Sequence, residues 1–240
     1  METTNTTYNL HDSLQRMDDI LNSQNICEQK DSIPSRNTLT FTNGYYVNCS
    51  AIFVDICGSS DLTNDHTRPV LAKIYRCFIS ELVALFNGEM RCREISINGD
   101  CVWGVFETPN KSDIDAMIDV AAKASSLIDM LNSKLQKKGY QTIEVGIGVD
   151  YGRALMAKAG YKGSSINDII WMGDVVNNAC HLCGYGNKTP YDCKVMISEV
   201  IYNNCKAEYQ SLFKWNSNRE CYHGEIKNIY MNNLLVNNKI

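Results

Sequence analysis

One aspartate inside an apolar strand constrains this chain more than any other feature. The run Ala51-Ile52-Phe53-Val54-Asp55-Ile56-Cys57-Gly58-Ser59-Ser60 sets Asp55 among side chains that belong in a core. A carboxylate is costly there unless it is paired or binds a metal ion. The Gly58-Ser59-Ser60 turn ends the strand and leads into a helix, whose first backbone N–H groups suit phosphate oxygens. A carboxylate beside an anion cradle is the arrangement that a Mg²⁺- or Mn²⁺-bound nucleotide requires. The other reading of the same residues is that Asp55 caps the next helix.

Around this strand the pattern alternates. Residues 66–87 carry Val70, Ile74, Phe78, Leu82 and Leu85 at helical spacing. Arg93–Phe106 reads as two strands joined at Asn98-Gly99, a dipeptide that suits a two-residue hairpin turn. Ser112–Lys138 reads as a long helix with Ser112 as its N-cap, Ile143–Val149 as a strand, and Gly173–Tyr185 as a helix. The tail, about 193–236, reads as a strand, a short helix and further strands. A β-hairpin within a βα alternation gives an α/β (α+β) sheet with antiparallel pairs and helices mainly on one face. Residues 1–45 are polar and form an N-terminal helical or irregular extension, with Leu10, Leu14, Met17 and Leu21 at helical spacing; residues 46–240 form the main domain.

Composition removes several function classes. Apolar residues are 44% and charged residues 21%, which excludes a disordered chain. The net charge of −4 argues against a basic surface for nucleic acid, and no apolar run is long enough to span a membrane. Eleven cysteines with no secretory leader pattern point to a reducing compartment, the cytoplasm.

Two further segments carry chemistry. In Ser96-Ile97-Asn98-Gly99-Asp100, Asp100 follows the hairpin turn and meets Asp55 if their strands are neighbours, making a two-metal site; alone it reads as an ordinary turn aspartate. In Trp171-Met172-Gly173-Asp174-Val175-Val176-Asn177-Asn178-Ala179-Cys180-His181, Asn177 and His181 share one helix face and together could hold a phosphate or sugar; in isolation the same face reads as solvated surface. Cys180 and Cys183 form a CxxC with no second pair at zinc spacing, so they read as core residues.

In their order and spacing these segments resemble the class III nucleotidyl cyclase catalytic domain. The matches are Phe53-Val54-Asp55-Ile56-Cys57-Gly58, Asn98-Gly99-Asp100, Met172 through His181, and Val145-Gly146-Ile147-Gly148-Val149-Asp150-Tyr151-Gly152. The resemblance covers about residues 46–236. It implies a ferredoxin-like sandwich acting as a head-to-tail homodimer with sites at the interface. It implies that Asp55, Asp100 and the Ile56 carbonyl hold two Mn²⁺ or Mg²⁺ ions, and that the ribose 3′-oxygen attacks the α-phosphorus of a nucleoside triphosphate. Gly58 and Ser59 would cradle phosphate, Asn177 would orient the ribose from the partner chain, and Lys227 would meet the phosphates. Phe53, on the strand face of Asp55, would lie against the base.

Departures from the family pattern narrow the substrate. His181 stands where the family has an arginine that stabilises the transition state, and imidazole is shorter with a pH-dependent charge. Adenylate cyclases carry Lys and guanylate cyclases Glu where this chain has Ser96; adenylate cyclases carry Asp where it has Ile170. Neither purine-reading pair is present. A stand-alone class III domain of this kind resembles the pyrimidine cyclases of bacterial antiphage systems. There, cyclic CMP or cyclic UMP activates a separate effector. The expected activity is a pyrimidine cyclase, with CTP placed before UTP although no residue decides between them. The alternatives are a purine cyclase with an atypical base pocket, or a catalytically silent regulatory domain.

Overall fold

The computed structural model describes residues 2–3, 5–60, 62 and 67–237. Its centre is a β-α-β-β-α-β unit: β2 (Asn43–Ile56), α2 (Arg68–Asn87), β3 (Cys92–Asn98), β4 (Cys101–Phe106), α3 (Lys111–Lys137) and β5 (Val145–Gly160). These strands lie in the order β3-β4-β2-β5, antiparallel throughout, which is the ferredoxin-like arrangement. Beyond β5 the sheet continues through β7 (Val195–Ile197), β9 (Cys221–Gly224) and β8 (Lys214–Asn216), while β6 (Asn167–Met172) pairs with the far half of β5.

Both faces of the central strands are covered, which explains the unbroken apolar run in β2. Alternation sends Ile52, Val54 and Ile56 to one face, where α2 and α3 pack. Ile74, Phe78, Leu82 and Phe86 recur every fourth residue along α2 and are buried in that core. Val47, Cys49, Ala51 and Phe53 face the other way, toward α4 (Asp174–Tyr185). Helices therefore lie mainly on one face, with α4 on the other.

Glycines bring α4 close. A Cβ on Gly148 would stand 2.1 Å from the Ala179 carbonyl oxygen, and one on Gly146 would stand 1.9 Å from that of Cys183. Only bare backbone at these two positions lets the helix lie directly on β5.

Several local expectations change. The hairpin turn is Gly99-Asp100 rather than Asn98-Gly99, since Asn98 pairs with Cys101. Gly99 takes φ +62° while Asp100 stays outside the positive region, as in a type II′ turn. The N-cap of α3 is Asn110, not Ser112; its backbone N–H donates to Asp113 Oδ2 at 2.9 Å, completing a capping box. The tail ends in a helix, α7 (Ile229–Val236), after the short helices α5 (Glu199–Asn204) and α6 (Ala207–Gln210). The N-terminal segment is part of the sheet rather than an appendage. It forms α1 (Leu10–Leu21) and then β1 (Ile26–Lys30), which pairs parallel with β2. Ile33 and Leu39 then join the second core. No described helix is long and apolar enough to cross a membrane.

Candidate active site

Sheet register brings the two aspartates together. Asp55, one residue before the end of β2, lies opposite Cys101 of β4, and Asp100 is the turn residue just before Cys101. Asp55 is half-buried, and its carboxyl is held above the ordinary range, first by burial and then by the charge of Asp100, against a lowering hydrogen bond from the Ile56 backbone. Tyr75 of α2 approaches both carboxylates and hydrogen-bonds Ser59; burial and the charge of Asp100 raise its hydroxyl. Gly58 takes φ +63° in the turn after β2, a conformation that favours glycine. Among the described residues neither Asp55 nor Asp100 has an ion-pair partner.

Two adjacent carboxylates, both half-buried and without a cationic partner among the described residues, fit a divalent ion by charge and by hard oxygen chemistry. No group of three or more metal-ligating side chains occurs among the described residues. A divalent ion held there would draw only two side-chain carboxylates from this chain and would need further oxygens from backbone, water or a bound molecule, as magnesium sites commonly do.

Beside Asp55 opens a cavity of about 590 Å³ lined by Ile56, Cys57, Gly58, Glu144, Gly184 and Lys188, among others. Lys188 is exposed and close enough to draw the Cys57 thiol down, although burial, Glu144 and Asp55 together push that thiol up to about 11. Lys188 is thus the lysine at the Asp55 cavity. Lys227 is not: its Nζ lies 2.9 Å from Asp129 of α3, under the opposite face of the sheet from Phe53 and Asp55. Within one chain Lys227 is therefore not at the Asp55 cavity; the tail turns toward the acidic face of α3, where Lys194 also pairs with Asp129 at 2.8 Å.

The base-side residues are also rearranged. Phe53 is 5% exposed and stacks on Trp103, directly opposite in register, with ring centroids 4.9 Å apart and planes 2° from parallel. Phe53 therefore backs Trp103, and the half-buried Trp103 is the ring available to a ligand; the expected base contact by Phe53 is corrected. With the Asn98 amide oriented to satisfy both its atoms, its oxygen accepts from Trp103 Nε1 at 3.2 Å. Ser96 lies opposite Trp103 on the neighbouring strand. Ile170 sits on the outer face of β6, exposed.

Asn177 and His181 share the exposed face of α4 as expected. His181 lines a separate cavity of about 780 Å³ with Asp150, Arg153, Asn178, Tyr185 and Arg219. That cavity and the Asp55 cavity share no residue. One chain thus carries Asp55 and His181 in different recesses. Cys183 is buried with its thiol donating to the Gly146 carbonyl at 3.2 Å, and all eleven cysteines are free. Cys183 is core, as read, but Cys180 is exposed on the helix surface, so the core reading holds for only one half of the CxxC.

Residues 41–228 match the adenylate and guanylate cyclase catalytic domain. The chain belongs to that family. A uridylate cyclase from Gulbenkiania mobilis is 37% identical over 258 aligned positions, covering 100% of both chains. A uridylate cyclase from Treponema porcinum is 37% identical over 219 positions, covering 90% of this chain and 76% of its own. Among solved structures, a class III adenylyl cyclase-like ATP-binding protein from Pseudomonas aeruginosa superposes with a TM-score of 0.71 at 18% identity. It matches 93% of this chain, which spans 48% of that structure's chain. The adenylyl cyclase CyaB from P. aeruginosa gives a TM-score of 0.59 at 17% identity, covering 71% and 84% of the two chains. These structures share the fold, and this chain is a nucleotidyl cyclase by family.

Trp103, Lys188 and Tyr75 lie beside the residues the motifs single out but belong to none of those motifs. Trp103 carried a signal: it alternates with Cys101 on a strand expected to pair with β2. Lys188 carried none, because it reaches the site from a loop.

Proposed function

We propose that this cyclase converts a pyrimidine nucleoside triphosphate, UTP before CTP, to its 3′,5′-cyclic nucleotide and pyrophosphate. The observation that carries the chemistry is the juxtaposition of Asp55 and Asp100, without an ion-pair partner among the described residues, with Asp55 lining a cavity that Lys188 also lines. The pyrimidine reading rests on Ser96 and Ile170, which supply neither purine-reading pair, and on two relatives named uridylate cyclase. Those relatives move UTP ahead of CTP.

Asp55, Asp100 and the Ile56 carbonyl would hold two Mn²⁺ or Mg²⁺ ions. Such ions supply positive charge to the ribose 3′-oxygen and to the triphosphate. The Gly58-Ser59 turn and Lys188 bind phosphate oxygens. Asn177 orients the ribose, and His181 donates toward the phosphorus centre in place of the family's arginine. The base rests on Trp103, with Ser96 and Ile170 at its edge. The 3′-oxygen bonds to the α-phosphorus in line, the bond to pyrophosphate breaks, and the 3′-hydroxyl proton leaves to solvent. Positioning and charge stabilisation dominate, as in phosphoryl transfer generally. Separate cavities for Asp55 and His181 support a homodimer in which each site draws one half from each copy. The product would activate a separate effector of antiviral defence in the cytoplasm, the role that the resemblance to antiphage pyrimidine cyclases implies.

The test offers Mn²⁺ with ATP, GTP, CTP and UTP separately to purified protein, resolving products by liquid chromatography with mass detection, beside Asp55→Ala. Cyclic UMP that disappears in the variant is the expected result. A cyclic purine product overturns the base reading. Nucleotide binding with no pyrophosphate release would favour the silent domain, a reading motivated by His181.

A further inference from the structure

A segment outside the matched domain joins the two strands that carry the base-reading positions. Arg36 lies in a short 3-10 turn, Arg36–Thr38, between β1 and β2. Its Nη1 reaches Glu94 Oε2 of β3 at 3.3 Å, and its Nη2 bonds Asp168 Oδ1 of β6. β3 and β6 are not paired in the sheet: β3 is an edge strand bonded to β4, and β6 bonds to β5. Among the described residues Arg36 is the one side chain that ion-pairs to both.

The turn is held firmly enough to act as a strap. Ile33 and Leu39, which flank it, are packed into the second core. The Ile33 N–H donates to Glu107 Oε1 at 3.1 Å, and the Ser35 hydroxyl caps the turn. Glu94 is the anchored end, with its side chain 10% exposed; Asp168 is the open end, at 56%. Burial raises the Glu94 carboxyl, and Arg36 opposes that shift.

Alternation fixes what lies next to each carboxylate. Ser96 is two residues beyond Glu94 on the same face of β3, and Ile170 is two beyond Asp168 on the same face of β6. Each reading position is therefore about 7 Å along its strand from an Arg36 contact. We infer that Arg36 is a specificity-positioning residue, a strap that ties β3 to β6 and holds Ser96 and Ile170 at a separation that admits a pyrimidine and excludes a purine. The inference rests on the base-site reading above. Arg36 touches neither substrate nor reacting atoms in it. A planar fork bonded to two carboxylates sets their spacing, which a flexible ammonium does not.

The experiment measures kcat and KM for UTP, CTP, ATP and GTP in the full chain and in Asp168→Asn, Arg36→Ala and Arg36→Lys. Asp168→Asn is the gentle variant, because it opens the exposed arm without stranding buried Glu94. The expected result is a fall of about tenfold in the pyrimidine-over-purine ratio of kcat/KM in all three, carried by KM, with the melting temperature of Asp168→Asn near wild type, since exposed pairs add little stability. A wild type selective for pyrimidines whose variants keep their ratio within about twofold overturns this inference alone. A wild type that prefers a purine overturns the substrate reading and the strap together.

Discussion

Replacing Gly148 by alanine isolates the contact that seats α4. The new Cβ would lie 2.1 Å from the Ala179 carbonyl oxygen and 2.3 Å from the Cys183 backbone nitrogen, where ordinary contact begins at 3.4 Å. Both neighbours are helix backbone, so no rotamer change relieves the clash. The helix must rise by about 1 Å or the strand must sink, and overpacking of this kind costs about 1–3 kcal/mol. For a chain of this size that lowers the melting temperature by about 2–12 °C. The same shift displaces Asn177 and His181, and a misplacement of about 1 Å costs roughly 10²-fold in rate. Gly184→Ala, on the same helix with nothing within 4 Å, is the stability control; it removes a helix glycine and should gain about 0.5–1 kcal/mol. The assay pairs calorimetric melting with initial rates of pyrophosphate release. A Gly148→Ala protein that melts within about 1 °C of wild type and keeps its kcat would refute the view that α4 is clamped by this contact.

Three other perturbations read the site and the ion pair at Arg219, which lines the His181 cavity. Asp55 has a raised carboxyl, so its favourable protonated form is lost as pH rises through its folded pKa, and at neutral pH its charge destabilises the ion-free fold. In chelator at pH 7, Asp55→Asn should melt above wild type, and Mn²⁺ should raise wild type more; equal responses to Mn²⁺ would sink the metal assignment. Asp192 is lowered to about 2, first by its hydrogen bond from Arg219, then against burial by Thr189 and Asn216. Its stabilisation, about 2 kcal/mol, is present above pH 4 and lost as pH falls toward 2, so Asp192→Asn should flatten acid unfolding in that window; an unchanged acid limb would show the pair to be inert. Asp55→Ala and Asn177→Ala, each inactive alone, should regain about a quarter of wild-type activity when mixed as equal subunits, because half the random dimers carry one intact site. Mixtures as inactive as their parents would place both residues in one site of one chain.

Where side chains act through local pattern, the chain was legible. The α2 stripe from Ile74 to Leu82, the hairpin around Gly99 and the α4 face bearing Asn177 and His181 follow from periodicity and turn chemistry, although the stripe closes on Phe86 rather than the expected Leu85. Asp55 was legible because a lone carboxylate in an apolar strand demands a partner. The errors are small where the signal is local: Asn110 replaces Ser112 as a cap, and the turn moves by one residue. They are larger where register decides. β6 has only six residues and gains its place by pairing with β5, and β1 lies in a polar stretch that no pattern marks as a strand.

What the amino-acid sequence determined by itself, then, is the central βαββαβ set of elements and the two carboxylates near the ends of its neighbouring strands. Tertiary structure decided which ring stays partly open, because Phe53 is covered by Trp103 only once β2 and β4 are in register. It decided that Lys188 lies at the Asp55 cavity and that Lys227 is bound to Asp129, and it brought Arg36 across to Glu94 and Asp168. The physical reason is common to all three. Periodicity reports which side of its own element a residue faces, whereas the partner of a long charged side chain depends on which distant strand or helix the packed core sets in front of it.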